Sequence, residues 1–288
     1  MISIVICSIN PTYATQIRRN IEDTIGVPYQ LLLVDNRGTN KGICKVYNEA
    51  AQKATYPYLC FIHEDVAIHT ANWGAILVAL LQNTDIGLVG ISGSIYKSQY
   101  PAVWSACDAD LYRTNSLQHF KGVASPVAVY HNPLSERYSQ VAVVDGVFLA
   151  VSKTLWQQLP FNEAELTGFH GYDLDYSLQM KQQGRQVVVC YDIVIEHFSE
   201  GTLSNEWLQA YQKLHQRWNH LLPLQIGPID KQITAKSNYL SIQTILKVAL
   251  SHKGNKLLVI YYFCMAIAFY GKWNKGLFFK SIVKYMCK

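Results

Sequence analysis

The chain has 288 residues, half of them apolar and 16% charged, which is too apolar and too weakly charged for a disordered chain. The formal charge of +5 is unevenly placed: residues 231–288 hold ten lysines and no acid, while residues 1–230 hold 15 basic and 20 acidic residues. A mildly acidic body excludes a domain that wraps nucleic acid and leaves the tail as the place where an anionic partner would sit.

In chain order, Ile2–Cys7 is a short β-branched apolar run and predicts a strand, ended by Asn10-Pro11-Thr12. A helix follows over Thr12–Ile25, closed by Gly26. Leu31–Val34 predicts a second buried strand stopped by Asp35-Asn36-Arg37-Gly38, and Ile43–Ala54 a second helix. Tyr58–Ile62 predicts a third strand running into His63-Glu64-Asp65, Trp73–Leu81 a helix, and Ile86–Ile91 a fourth strand. Strand–helix alternation with continuous apolar strands predicts a mostly parallel sheet covered by helices on both faces. Ligands of such sheets collect at the carboxyl ends of the strands, where Ser8, Asn10, Asp35, Asn36, Glu64 and Asp65 fall.

Residues 96–140 carry no clear period. Val141–Val151 predicts a strand broken at Asp145-Gly146, Asp173–Gln183 a helix ended by Gly184, and Gln186–Ile195 a strand leading into Glu196-His197. Ser204–His220 predicts a helix with Ser204 as N-cap. These elements predict an α/β domain over 1–222, a Pro-marked linker over 223–237 and a basic, amphipathic helical extension over 238–288. Leu257–Tyr270 is an uncharged, largely apolar run between lysines, shorter than the ~20 residues a spanning helix needs, and suits either a helix lying in a headgroup layer or one packed on the domain with its lysines in solvent. The seven cysteines include no C-x-x-C pair, and Cys7, Cys60 and Cys190 lie in apolar runs, so reduced, buried thiols are expected. The first strand begins without a signal-peptide pattern, so secretion is not expected.

Three constellations can carry chemistry. His63-Glu64-Asp65 brings two consecutive carboxylates to the sheet edge, an arrangement that a cation or a donor array stabilises. Glu196-His197 brings an imidazole to another strand end; alone it reads as a polar cap, while a carboxylate and an imidazole from two strand ends are also suited to ligate a divalent metal. Tyr172-Asp173-Leu174-Asp175 opens a helix with two acids that do not share a face. Helix capping and dipole stabilisation explain that pair as readily as catalysis.

Together with Val5–Asn10, Leu33–Asn36, Asn40-Lys41-Gly42 followed by Asn48, and Val144–Ala150, these motifs stand in a recognisable order over roughly residues 1–203. The chain resembles the family 2 glycosyltransferases of GT-A-type, Rossmann-like fold, and more narrowly the glycosyltransferase-like group that includes the StrF domain. The resemblance implies that Ser8, Asn10, Asp35, Asn36 and Asn48 bind the nucleotide, joined by Glu64 and Asp65, with Asp145 and Gly146 flanking the donor sugar. It implies Asp65 and His197 as metal ligands, with His63 standing where the family has an acid, and Mn²⁺ or Mg²⁺ as cofactor. Asp173 matches the family's general base, with Asp175 second, although Tyr172 replaces the usual preceding Glu.

The implied activity is inverting hexosyl or N-acetylhexosaminyl transfer from a nucleotide sugar, by family frequency a UDP-sugar, to a glycan or lipid-linked acceptor. The resemblance and the basic tail imply bacterial cell-surface polysaccharide assembly, with the cysteine usage pointing to the cytoplasm and the tail to the inner face of the plasma membrane. The rival from another class is an inactive nucleotide- or glycan-binding module, which the His63 and Tyr172 departures would accompany. A dehydrogenase is excluded, because Ser8-Ile9-Asn10-Pro11 follows the first strand in place of G-x-G-x-x-G. No G-x-S-x-G nucleophile motif is present.

Overall fold

A computed structural model describes residues 1–201, 203–251, 260–262, 264 and 265. The alternating half comprises β1 (Ile2–Ser8), α1 (Pro11–Thr24), β2 (Tyr29–Asp35), α2 (Ile43–Ala51), β3 (Tyr58–Ile62), β4 (Val66–Ile68), α3 (Trp73–Leu81) and β5 (Ile86–Gly90). The aperiodic stretch folds as β6 (Ser92–Ser94), β7 (Tyr96–Lys97), β8 (Tyr112–Gln118), β9 (Val127–His131) and β10 (Tyr138–Val141). There follow β11 (Val143–Val144), β12 (Phe148–Ser152), α4 (Lys153–Gln158), α5 (Tyr172–Gln182), β13 (Gln186–Cys190), β14 (Ile195–His197), α6 (Asn205–Arg217), β15 (Leu224–Gln225) and α7 (Lys231–Ser251).

The main sheet has the order β10-β13-β5-β12-β3-β1-β2. Five of its strands run one way; β12, between β3 and β5, and the edge strand β10 run against them. The alternation of side chains along β1 explains the layering. Ile4 and Ile6 join α1 (Ile17, Ile21) and α3 (Trp73, Leu77, Leu81) on one face. Val5 joins α2 (Cys44, Tyr47, Ala51), α4 (Leu155, Trp156) and α5 (Tyr172, Tyr176, Met180) on the other. Each fully buried side chain of Val, Ile, Leu or Met size among these contributes about 1.5–3 kcal/mol. Of the thiols expected to be buried, Cys60 and Cys190 are so and Cys7 is half-buried, and desolvation pushes Cys7 and Cys190 up to about 11.

A second, smaller sheet, β11-β6-β8-β14-β4 with β9 on β8, covers the end of the first where β1 and β3 terminate. Two elements depart from expectation, and this sheet accounts for the first. The single strand expected over Gln186–Ile195 is two: β13 pairs with β5 in the main sheet, and β14 pairs antiparallel with β4 and parallel with β8. The chain changes sheets at Tyr191, whose backbone carbonyl accepts from Asn115 Nδ2 at 2.6 Å.

The other departure is at the C-terminal side. The expected linker of 223–237 contains β15, which pairs with β7, and the first turns of α7. α7 buries Ile242, Ile245, Leu246, Val248 and Ala249 in one cluster with Trp207, Leu208, Tyr211 and Leu214 of α6 and Leu174 and Leu178 of α5. Most of the apolar run 257–270 lies outside the described residues, although Tyr262 belongs to the same cluster. Among the described residues no helix is long and apolar enough to cross a membrane.

Candidate active site

The carboxyl end of β3 leads directly into His63-Glu64-Asp65 before β4 begins. Because β12 runs antiparallel to β3 with Phe148 opposite Ile62, the Asp145–Val147 turn that precedes β12 arrives at the same edge, and His63 N–H donates to the Val147 carbonyl at 3.1 Å. β14 pairs with β4 so that His197 stands opposite Val66, with the Phe198 N–H on the Asp65 carbonyl at 3.0 Å. Three segments far apart in sequence therefore meet at one point.

There, one ligand atom each of His63, Asp65 and His197 lies within 4.8 Å of the other two. His197 Nε2 is 3.6 Å from Asp65 Oδ2, and His63 Nδ1 is 4.0 Å from Asp65 Oδ1. The outer nitrogen of each ring is engaged: His197 Nδ1 with Gln118 Oε1 at 3.1 Å, and His63 Nε2 with the Tyr172 hydroxyl at 2.6 Å. His197 Nε2 is buried without a hydrogen-bond partner. A buried imidazole nitrogen facing a carboxylate, with its other nitrogen pinned, suits a metal ligand as well as an ion pair, and two imidazoles with one carboxylate fit a divalent transition ion.

The protonation of the cluster follows from burial and proximity. Burial, then the neighbouring His197, drives the His63 pKa below its usual value despite Asp65. Burial also opposes a charge on His197, but the Asp65 carboxylate outweighs it and raises that imidazole. Asp65 itself is held well below the usual carboxylate range: burial would raise it, and His197 and His63 overcome that.

α5 approaches the cluster with its N-terminus. Gly146 N–H donates to Asp173 Oδ2 at 3.2 Å, and the Tyr172 hydroxyl donates to the Gly146 carbonyl at 3.1 Å. A Cβ on Gly146 would stand 2.2 Å from that hydroxyl oxygen, so glycine is required for the contact. Asp173 is buried; burial first, and the nearby Asp145 second, push its carboxyl up to about 7. Asp145 accepts from Val147 N–H at 2.8 Å and from Trp104 Nε1.

A second group adjoins through Glu64, whose carboxylate accepts from Ser8 Oγ at 2.5 Å, from Ile9 N–H at 3.2 Å and from Asn10 N–H at 3.0 Å. Asn10 also caps α1, accepting from Thr12 N–H at 2.9 Å. At the neighbouring strand end, Asn36 N–H donates to the Ser8 carbonyl at 2.8 Å, while its side-chain amide holds the 36–41 turn through Lys41. Asp35 is exposed, and hydrogen bonds from Arg37 bring its pKa down to about 2.

Two expected site residues lie apart. Asn48 is buried on α2, donating to the Phe161 carbonyl at 2.8 Å and accepting from Phe161 N–H at 3.1 Å and Trp156 Nε1 at 3.3 Å. These bonds hold the amide among α2, α4 and the Phe161 backbone, apart from the His63 edge. Asn48 lines a cavity of about 330 Å³ between α2 and α4, with Gln52, Lys153, Trp156 and Glu163, which opens at the end of β12 remote from His63. Asp175 is 1% exposed and turned to α6, accepting from Trp218 Nε1 and Gln179 Nε2, both at 2.7 Å. The i, i+2 spacing puts it on the face opposite Asp173. Conversely, sequence reasoning missed Gln118 and Trp104, which lie in the stretch without a period, and saw in Tyr172 only a departure.

Comparison with known proteins agrees with this architecture. A family described as "Glycosyltransferase like family" matches residues 3–217. The chain belongs to that family. No curated protein matches the sequence significantly. Solved structures of similar fold include a mannosyltransferase from Pyrobaculum calidifontis with GDP-Man and Mn²⁺ (TM-score 0.51, 12% identity, 93% of this chain and 79% of that one). They also include S. aureus TarS 1–349 with UDP (TM-score 0.51, 11% identity, 93% and 88%). A third is GalNAc-T7 with UDP, GalNAc and Mn²⁺ (TM-score 0.50, 11% identity, 70% and 43%), of whose length this chain spans less than half. The fold of this glycosyltransferase-like chain is thus the GT-A fold, with the His63–Asp65–His197 cluster at the carboxyl edge of its main sheet.

Proposed function

We propose that the chain is an inverting, metal-dependent glycosyltransferase that moves a hexosyl or N-acetylhexosaminyl unit from a nucleotide sugar, a UDP-sugar in the first instance, to a hydroxyl of a glycan or lipid-linked acceptor. The observation that carries the proposal is the convergence of His63, Asp65 and His197 with Asp173 held beside Gly146. His63, Asp65 and His197 would hold the cation, Mn²⁺ in preference to Mg²⁺ because two ligands are imidazoles. When bound, the ion supplies charge stabilisation for the departing diphosphate.

The chain's own residues supply the rest. Asp173, with a carboxyl near 7, accepts the proton of the acceptor hydroxyl as the new C1–O bond forms and the C1–O(phosphate) bond breaks. A single displacement of this kind inverts the anomeric centre. Ser8, Asn10, Glu64 and Asp35 line the side on which base and ribose would lie. Asp145 and Gly146 stand between the cluster and Asp173, on the donor-sugar side.

The setting we propose is cytoplasmic, at the inner face of a bacterial plasma membrane in cell-surface polysaccharide assembly. Its support is the lysine-rich, acid-free segment 231–288 and the resemblance described above. The division into a catalytic domain over 1–222, a linker over 223–237 and an extension over 238–288 is likewise proposed, with α7 packed against the domain. The test is a panel of nucleotide sugars assayed with Mn²⁺ for thermal stabilisation, then for transfer with NMR of the product anomer. Stabilisation by one donor class and an inverted product are expected. Stabilisation with no hydrolysis or transfer to any acceptor would favour a binding module.

A further inference from the structure

We propose that Tyr172 is a positioning residue for metal binding: its hydroxyl fixes the tautomer of His63 so that Nδ1 presents a lone pair beside Asp65. The argument starts from the donors available. The Tyr172 hydroxyl lies 3.1 Å from the Gly146 carbonyl and 2.6 Å from His63 Nε2. A carbonyl oxygen only accepts, so the single phenolic proton is given to Gly146. The phenolic oxygen therefore accepts from His63, and Nε2 must carry the proton. In a neutral imidazole this leaves Nδ1 unprotonated, and Nδ1 is the nitrogen that faces Asp65 Oδ1, at 4.0 Å.

The phenol is held to this task from all sides. Tyr172 is buried, with Tyr47 edge-on at 5.9 Å and Phe161 at 6.3 Å between ring centroids. The missing Cβ of Gly146 is what lets the hydroxyl in. His197 receives the same treatment from Gln118 on its Nδ1, which leaves Nε2 for the metal. Tyr172 and His63, each a departure when taken alone, are therefore two halves of one device. A histidine at the first position of the His63-x-Asp65 motif needs a partner on its far nitrogen, and the residue preceding Asp173 provides it.

This inference rests on the metal site of the proposed function, and its test reads the metal without any sugar transfer. Mn²⁺ alone is titrated calorimetrically into the full chain, into Tyr172→Phe, into His63→Ala and into the double variant. Tyr172→Phe keeps the ring and loses only the hydroxyl, and is expected to weaken Mn²⁺ binding about tenfold or more, as loss of outer-sphere partners does. In the His63→Ala background the same substitution is expected to change nothing, because its route to the metal is gone.

In the metal-free chain, ¹⁵N spectra of the histidines should show His63 as the Nε2–H tautomer, and a mixture in Tyr172→Phe. Wild-type Mn²⁺ affinity in Tyr172→Phe, or equal losses in both backgrounds, would overturn the inference while leaving the metal site standing. No Mn²⁺ binding by the unaltered chain would overturn the metal site and this inference together.

Discussion

Burial raises the Asp173 carboxyl to about 7, with Asp145 adding to the effect, and this single displacement has consequences for both stability and turnover. The folded chain holds the Asp173 proton more tightly than an unfolded chain, where the carboxyl titrates near 3.8. The stability this group contributes is therefore complete below about pH 4 and is lost as pH rises through 7. Asp173→Asn should remove that loss, so urea melts of the variant should show a flatter dependence between pH 4 and 7 than the parent; parallel curves would contradict the burial argument. For catalysis the direction reverses, since a base must be ionised. Turnover should rise with pH through about 7, and Asp173→Asn should keep donor binding while losing on the order of 10²-fold or more in rate. Parent-like turnover in that variant would remove Asp173 as the base. At Asp65 and His197 the expected effect is on the metal: either alanine variant should abolish Mn²⁺-dependent donor stabilisation in a thermal-shift assay, and a retained shift would detach the cation from these residues.

At the scale of elements, the site depends on three-residue β14, which is too short to be held by its ladder alone. Glu196 clamps it, accepting from His69 Nε2 at 2.9 Å and His119 Nε2 at 2.7 Å across the strands on either side. Glu196→Ala should lower the melting temperature by about 2–4 °C for each kcal/mol lost and speed amide exchange along Ile195–His197; unchanged exchange there would assign the anchoring of His197 elsewhere. Much of the site was legible because its residues follow apolar strands: Ile62 before His63 and Ile195 before Glu196 mark the sheet edge by hydrophobicity. The second sheet was not legible. Its strands are two to seven residues long, and β8 (Tyr112–Gln118) carries mostly polar side chains, so neither an apolar run nor a clean alternation announces it. Asn48 was grouped with the strand-end residues for a related reason: an asparagine on an apolar helix looks functional until its bonds to the Phe161 backbone and Trp156 are known. Tyr172 looks like core in sequence, and is core except for one oxygen.

For the whole molecule, the division between body and tail decides where partners bind. α7 belongs physically to the body, since Ile242, Ile245 and Leu246 close the cluster around Trp207 and Trp218. Truncation before residue 238 should therefore destabilise the fold, whereas truncation after Ser251 should leave donor binding intact. The second truncation removes seven of the ten tail lysines and should release the chain from anionic vesicles in a sedimentation assay; undiminished co-sedimentation would retire the membrane proposal. The central claim is that β3, β14, the turn before β12 and α5 bring their polar ends to one cation-dependent centre. Anomalous diffraction at the manganese edge from crystals grown with Mn²⁺ and UDP tests it most directly. The account predicts a peak bounded by His63 Nδ1, an Asp65 carboxylate oxygen and His197 Nε2, with the diphosphate completing the shell; a fully occupied manganese elsewhere, with these three side chains unliganded, would contradict it.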